Sequence, residues 1–342
     1  MRLPFMKKYG IEEFEFSQSY LFFWDKIERS HFWLNNIAET AKKGEKLDGR
    51  VVNFLLKDPV NDGGQWDMLV NLVNKYGLMP KKCFPESYSS RRSVRMNALL
   101  RTKLREFAKE LREKVTSDAS DDEIQNTISK QMIVVYNIVA ICLGIPPEKF
   151  TYEYYNKDKA YQVMGPLTPQ EFYARHVKPL YDVDDKVCIV NDPRENNPYG
   201  HLYTLQYLGN MVGGRTTVYN NQPIEVLIKA VKDSIQGGEA VWFGCEVTKR
   251  FERKNGLEDL EAHDYRLVFN TEIQIGMPKE DRLLYGDSCM THAMVFTAVG
   301  LDVVVDKKYV SKEVLDVFKQ ELVELPAWDP MGTLACPLCA DD

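Results

Sequence analysis

The spacing of apolar residues changes near Tyr152, and this change restricts the fold more than any other feature of the sequence. In the first part, apolar residues recur every three or four positions, which predicts amphipathic helices. In the second part, short runs of β-branched and aromatic residues stand between turn-rich stretches, which predicts strands. The predicted helices are 17–43, 65–76, 92–115, 122–143, 224–235 and 312–322, and the predicted strands are 187–190, 240–243, 267–269 and 294–299. A chain that is helical in front and strand-rich behind is typical of an α+β fold.

The overall charge and the cysteines narrow the classes of protein to which the chain can belong. Its 342 residues carry a formal net charge of −6, which argues against nucleic acid as a partner because phosphate binding needs a basic surface. The best apolar run, 132–143, is too short to cross a membrane. Residues 1–8 lack the apolar core of a signal peptide, and the seven scattered cysteines do not suit a disulfide framework. We therefore expect a cytoplasmic protein, without a membrane partner, whose thiols are mostly buried and free.

A pair of glycines, Gly63 and Gly64, stands in the segment 61–67 (NDGGQWD), directly before the second predicted helix. Glycines at such a place let another backbone approach closely, and a helix N-terminus can also hold a phosphate. The Lys-Ser/Thr of a P-loop does not follow, so that motif is excluded. A plain turn remains the other interpretation of the two glycines.

Five histidines are present, and His292 differs from the others because it begins an apolar stretch, THAMVF. Imidazole is the usual base for a Cys or Ser nucleophile because its pKa lies near neutrality. At the end of a strand, such a side chain stands at the rim of a sheet on a rigid base. The alternative is a histidine that is satisfied inside the core.

Together, these residues resemble the papain-like cysteine peptidases. In that family an Asn/Asp-Gly-Gly segment runs into a helix that bears a Trp, and the catalytic His begins a strand in a context similar to 291–300 (THAMVFTAVG). The resemblance narrows to the bleomycin hydrolase family of aminopeptidases and covers nearly all of residues 1–335. The strings that carry it are 14–26, 61–69, 80–86, 210–215, 239–245 and 325–332.

The resemblance implies a papain-like fold with a helical insertion. It divides the chain into a helical (left) subdomain at 1–90, a helical insertion and connecting region at 91–230, a β-rich (right) subdomain at 231–325 that is incomplete, and a C-terminal arm and tail at 326–342. It also implies a thiol aminopeptidase that acts on peptides, deamidates bleomycin, assembles as a homohexamer and needs no metal or other cofactor. In this interpretation His292 is catalytic, and Gly63 and Gly64 bind the substrate backbone.

Three groups of the family's mechanism have no counterpart in this sequence. The family's Cys and oxyanion Gln lie in a Gln-x-x-x-Gly-x-Cys-Trp stretch at the front of the central helix, and residues 1–8 resemble a later part of that helix. The family's Asn lies in an Asn-Ser-Trp-Gly strand after the His, but no Asn follows residue 270. Gly300 instead runs directly into a stretch that resembles a later strand. We therefore expect the front of the central helix and two barrel strands to be missing, and no other cysteine to replace the nucleophile.

Two functions follow as alternatives. One is the family's aminopeptidase, acting through a Cys-His-Asn acyl-enzyme mechanism, and the other is a non-catalytic form or assembly subunit. The tail adds one more open question, because Cys336-x-x-Cys339 fits half of a zinc site or a redox pair. A disordered tail is the other interpretation of these residues.

Overall fold

The computed structural model describes residues 1–247, 251–259, 262–273, 276–296, 302–329 and 331. The chain divides into two compact units: unit 1 contains Met1–Asp184 and Gly209–Thr216, and unit 2 contains the rest of the described chain. Unit 1 is mainly helical, and unit 2 contains a seven-stranded sheet. The predicted α+β class is therefore confirmed, whereas the predicted four-part division stays a prediction.

Unit 1 is built on the helix α2 (Gln18–Lys42), which packs against α3 (Arg50–Lys57), α4 (Trp66–Tyr76), α6 (Val94–Thr116) and α7 (Asp121–Leu143). Serine at position 17 begins α2 by accepting a hydrogen bond from the backbone N–H of Tyr20, which satisfies one of the open donors of the first turn. The helices are α1 (Arg2–Tyr9), α2 (Gln18–Lys42), α3 (Arg50–Lys57), α4 (Trp66–Tyr76), α5 (Tyr88–Arg91), α6 (Val94–Thr116), α7 (Asp121–Leu143) and α8 (Pro169–Phe172). A hairpin of β1 (Phe150–Tyr155) and β2 (Tyr161–Leu167) completes the unit.

The helix α7 is long and apolar enough to span a membrane when only its length and composition are considered. One row of its side chains, however, is buried at three- and four-residue spacing, and the helix packs against α2 and α6. The buried residues are Ile124, Thr127, Ile128, Gln131, Val135, Val139 and Leu143. A single buried row is the pattern of a helix on the core of a globular unit.

The sheet of unit 2 has the strand order β11-β4-β5-β3-β10-β6-β9. The strands are β3 (Lys186–Val190), β4 (Leu202–Leu205), β5 (Tyr219–Asn221), β6 (Val241–Cys245), β9 (His292–Phe296), β10 (Asp302–Asp306) and β11 (Leu322–Leu325), and a separate pair is formed by β7 (Phe251–Glu252) and β8 (Leu257–Glu258). The helices are α9 (Ile224–Gln236), α10 (Tyr265–Phe269), α11 (Lys279–Leu284) and α12 (Lys312–Asp316). In the pairing of β9 with β6, the two strands are antiparallel.

The core of unit 2 lies where α9 and α12 cover one face of the sheet. Val187 and Ile189 of β3 and Val241 and Phe243 of β6 are buried there with apolar residues of the two helices. Because alternate residues of a strand share a face, these residues lie on the face that the two helices cover. Cys245 and Met294 are partly buried and pack against the same cluster.

Two of the predicted elements differ from the structure. The stretch 267–269 is part of the helix α10, not a strand, because Asp264 caps its first turn by accepting a hydrogen bond from the N–H of Leu267 at 2.9 Å. The predicted helix 312–322 ends early: α12 stops at Asp316, and Leu322 already belongs to β11. A three-residue apolar run fits both a helix and a strand, so periodicity could not decide between them.

Candidate functional site

The segment that contains the two glycines leads into α4 in unit 1. Residues 61–65 form neither helix nor strand, and α4 begins at Trp66. Gly63 and Gly64 are half-buried. Within the described ranges, neither glycine makes a hydrogen bond. Their peptide N–H and C=O groups are therefore available to an extended backbone.

The underside of this segment rests on α2. A Cβ atom added to Gly64 would lie 3.6 Å from Nη2 of Arg29 and 3.7 Å from Sδ of Met68. Arg29 is itself buried and is held by Asp25 through two hydrogen bonds of 3.0 Å. Such a bidentate pair has a fixed geometry, so the glycines stand on a rigid support.

The helix α4 is also tied to the segment 209–216 of unit 1. Asn71 of α4 accepts a hydrogen bond from the N–H of Arg215 at 2.6 Å and donates one to the C=O of the same residue at 3.0 Å. The side chain of Arg215 lies 2.6 Å from the buried carboxylate of Asp67. A Cβ atom on Gly214 would lie 2.8 Å from Asn71, so the close approach requires glycine. These contacts fix the direction in which α4 leaves the glycine segment.

His292 is the first residue of β9 in unit 2, and its side chain is exposed. It shares a face of the strand with Met294, which packs against the core. The predicted place of this histidine at the end of a strand is therefore confirmed, and the alternative of a core histidine is wrong. Its catalytic role stays a prediction, as does the substrate-binding role of Gly63 and Gly64, which belong to unit 1.

The residue directly opposite His292 was not found from the sequence. It is Cys245 of β6, which pairs with His292 in the antiparallel register. Directly opposite residues in such a pair have neighbouring side chains on one face. Because the two residues lie far apart in the sequence, only the register of the sheet brings the thiol and the imidazole together. An imidazolium beside a thiol favours the thiolate, which is the reactive form.

The other described cysteines differ in their burial and bonding. Burial raises the pKa of the Cys83 thiol to about 11, so this thiol stays protonated near neutral pH. Cys142 and Cys188 are not disulfide-bonded. Among the described cysteines Cys188 is the buried one and the rest are half-buried, so the expectation of mostly buried thiols is wrong. Cys289 is disulfide-bonded, so the expected free thiol is wrong at this position. Cys336 and Cys339 lie outside the described residues.

Comparison with known proteins places the whole chain. The sequence profile of the Peptidase C1-like family matches residues 1–303 and 300–332. Bleomycin hydrolase of Homo sapiens is 53% identical over 374 residues, which cover 98% of this chain and 82% of the relative. Aminopeptidase C of Listeria monocytogenes is 36% identical over 362 residues, which cover 95% of this chain and 80% of the relative. The crystal structure of pepw from Lactobacillus rhamnosis HN001 has a TM-score of 0.92 at 39% identity and covers 97% of this chain and 82% of that chain.

The matches also show a difference in length. The aligned stretch of 374 residues is longer than the whole chain of 342 residues, so the human relative has residues inside the match that this chain lacks. The two profile matches meet at 300–303, next to Gly300, where the sequence predicts a missing segment. The papain-type fold is shown by the profile and by the structural match. Since these matches extend over nearly all of its residues, the chain belongs to the Peptidase C1-like family of cysteine peptidases.

Proposed function

We propose that this chain provides the site of a cysteine aminopeptidase that removes N-terminal residues from peptides. In this function Gly63 and Gly64 pair with the extended backbone of the substrate, and His292 is the catalytic histidine. The observation that carries the proposal is that neither glycine has a hydrogen bond within the described part of the chain. An extended peptide uses such groups in β-strand addition. The relatives named aminopeptidase C and bleomycin hydrolase support the same class of reaction.

The proposed reaction is acyl transfer to a cysteine. The thiolate attacks the carbonyl carbon of the scissile peptide bond, and the imidazolium of His292 gives its proton to the leaving amine. Water then attacks the thioester, and the imidazole takes up a proton from it. An Asn orients the ring, and a Gln side chain with a backbone N–H binds the oxyanion. Of these side chains, His292 is the one that this sequence has in the matching context.

A second function is supported by the residues of the sequence itself. None of its seven cysteines stands in the Gln-x-x-x-Gly-x-Cys-Trp context of the family's nucleophile, and no Asn follows residue 270. In this second function the 342-residue polypeptide binds peptides or joins an assembly without turnover. This second function predicts peptide binding but no turnover from this polypeptide alone.

One experiment separates the two functions. The purified polypeptide is given an aminoacyl coumarin amide, with and without prior alkylation by iodoacetamide, and binding of a fluorescent tetrapeptide is measured in parallel. Turnover that alkylation and His292→Ala both abolish would show catalysis by this polypeptide. Binding without turnover would support the non-catalytic function, and loss of both would contradict the substrate site itself. His201→Ala, at another exposed histidine, serves as the matched control.

We also propose that the cysteine aminopeptidase described above deamidates bleomycin, as the names of the relatives suggest. A primary carboxamide presents the same carbonyl carbon to a thiolate, and ammonia takes the place of the leaving amine. Mass spectrometry of bleomycin after incubation checks this proposal. Hydrolysis of aminoacyl amides without any change in the mass of the drug would contradict it.

We further propose that the chain assembles as a cytoplasmic homohexamer, as the resemblance implies. The outward face of α7 supports an assembly because Ile133 is 63% exposed and Ile141 is 85% exposed. Exposed apolar patches of this kind mark association surfaces. Ile141→Lys is expected to reduce the mass measured by light scattering, whereas Lys130→Ala, on the same helix, should not. A wild-type monomer would contradict the proposal.

A further inference from the structure

We propose that Lys26 is a positioning residue for the substrate backbone: its buried ammonium group fixes residues 60–62 and thereby presents the peptide groups of Gly63 and Gly64. This inference rests on the proposed function, in which the two glycines bind the substrate. Lys26 is part of α2 and touches neither glycine through a hydrogen bond. Its effect on binding therefore passes through the segment that precedes them.

The ammonium group of Lys26 is fully buried, and its N–H groups all donate hydrogen bonds. The side chain is 0% exposed, and Nζ donates to the C=O of Val60 at 2.8 Å, the C=O of Asn61 at 3.2 Å and Oδ1 of Asp62 at 2.6 Å. An ammonium group has three N–H donors, so each of them has an acceptor. Lys26 therefore holds three consecutive residues at once.

The carboxylate of Asp62 extends the same network to α6. Asn97 donates to Oδ1 of Asp62 at 2.8 Å, and the hydroxyl of Ser93 donates to Oδ2. Burial alone would raise the pKa of Asp62, but the attraction of Lys26 and these hydrogen bonds hold it below its usual value. The carboxylate therefore stays ionised near neutral pH. The segment is thus anchored from α2 and from α6.

The segment needs this anchor because its own restraints are weak. Residues 61–65 have no regular secondary structure, and two of them are glycines, which have more backbone freedom to lose than other residues. Without Lys26, two carbonyl groups and one carboxylate lose a hydrogen-bond donor. The backbone of the segment that precedes α4 can then adopt other conformations. A backbone that must be ordered on binding gives a lower affinity than one that is already fixed.

A buried lysine that only stabilises the fold would not affect residues 60–65 or the peptide affinity in particular. Lys186 of unit 2 is also buried, at 2% exposure, and pairs with Glu239 at 2.7 Å. Lys186→Met is therefore the matched control, since it removes an equally buried ammonium group from another part of the chain. If Lys26 acts only on stability, Lys26→Met and Lys186→Met should behave alike in every local measurement.

The test compares the wild-type chain with Lys26→Met, Lys26→Arg and Lys186→Met. Limited proteolysis followed by mass spectrometry measures the rate of cleavage within residues 60–65, and fluorescence anisotropy measures the affinity for a tetrapeptide with a free N-terminus. Lys26→Met is expected to speed cleavage at 60–65 and to weaken binding about tenfold, because hydrogen bonds to a charged group are lost. Lys26→Arg should recover part of the binding, and Lys186→Met should change neither quantity.

Asp62→Asn keeps the test decisive if Lys26→Met does not fold. The side chain of Asp62 is 44% exposed, so the variant is expected to fold while it weakens the same network. Unchanged cleavage at 60–65 in both variants would overturn the proposal, as would an unchanged affinity. Absence of peptide binding by the wild-type chain would instead contradict the proposed function, and the proteolysis data would still show whether Lys26 fixes the segment.

Discussion

In unit 2, one buried arginine holds two carboxylates in place. Arg194 is buried and binds two carboxylates, with Nη2 lying 2.6 Å from Oδ2 of Asp192 and 2.6 Å from Oδ1 of Asp329. Burial alone would lower the pKa of Arg194, but its hydrogen bonds to the two carboxylates raise it. The guanidinium group thereby joins the loop after β3 to the chain that follows β11.

Removal of this guanidinium group should strongly destabilise the protein. Arg194→Met leaves the buried carboxylate of Asp192 next to the half-buried carboxylate of Asp329, which costs about 3–5 kcal/mol of unfolding free energy. Urea denaturation followed by circular dichroism measures the loss. Arg266→Met is the control, because that side chain is 75% exposed and lies 3.7 Å from its acidic neighbour Glu272, and such a pair contributes about 0–1 kcal/mol. A loss no greater than the control's would contradict the prediction.

The two half-buried thiols Cys83 and Cys245 should differ in reactivity. The pKa of Cys83 is raised to about 11 by burial, so little thiolate forms until the pH approaches that value. Cys245 should therefore be alkylated faster than Cys83 at pH 8, where the Cys83 thiol is still protonated. Peptide mapping after iodoacetamide treatment measures both rates. Equal rates would contradict the expected effect of burial on Cys83.

At the scale of elements, the long helices could be predicted from the sequence because their burial repeats regularly. The predicted helix 122–143 agrees with α7 to within one residue, and 224–235 agrees with α9 equally well. The strands β4 and β5 gave no usable signal, since they are short and buried at every position, which removes the alternation. The hairpin of β1 and β2 was missed although β1 alternates between buried and exposed residues.

In the candidate site, too, short sequence strings could be recognised, whereas contacts between distant residues could not. Gly63, Gly64 and His292 could be found because each lies in a short string that has its own signature. The contacts of Lys26 with 60–62 and of Cys245 with His292 could not be found, since they depend on how helices pack and how strands pair. A lysine among aromatic residues of an amphipathic helix gives no sign, in the sequence, that its ammonium group is enclosed.

The end of α4 provides a test of one local requirement. Gly77 follows the helix with φ of 74°, and a Cβ atom there would lie 2.2 Å from the carbonyl of Pro169. Gly77→Ala should therefore cost more than backbone strain alone, which amounts to about 1–3 kcal/mol. Gly44→Ala is the matched control, because Gly44 has φ of 72° and nothing within 4 Å. Thermal unfolding that shows equal losses for both variants would contradict the steric argument.

For the whole molecule, unit 2 carries several large apolar side chains on its surface. In α10, Leu267 is 82% exposed and Phe269 is 62% exposed, and Tyr285 after α11 is 81% exposed. Large exposed apolar patches favour association. The relatives contain residues within the aligned stretch that this chain lacks.

Replacement of this surface should therefore increase the soluble yield. The double variant Leu267→Lys and Phe269→Ser is expected to lower the light scattering of concentrated solutions, because it removes apolar area without touching the cap at Asp264. Leu99→Lys, at a residue of unit 1 that is 53% exposed, is the control. The explanation is wrong if both changes improve solubility to the same degree.

Because the ribosome makes the chain from its N-terminus, α4 is made before the residues that bind it. Asn71 and Arg215 are 144 residues apart, yet their hydrogen bonds lie within unit 1. A ribosome adds about 5–20 residues per second, so α4 emerges roughly 7–30 seconds before the segment that binds it. During that interval the nascent polypeptide carries the carboxylate of Asp67 without the guanidinium group of Arg215, and a fragment that stops at Asp184 would keep this defect permanently.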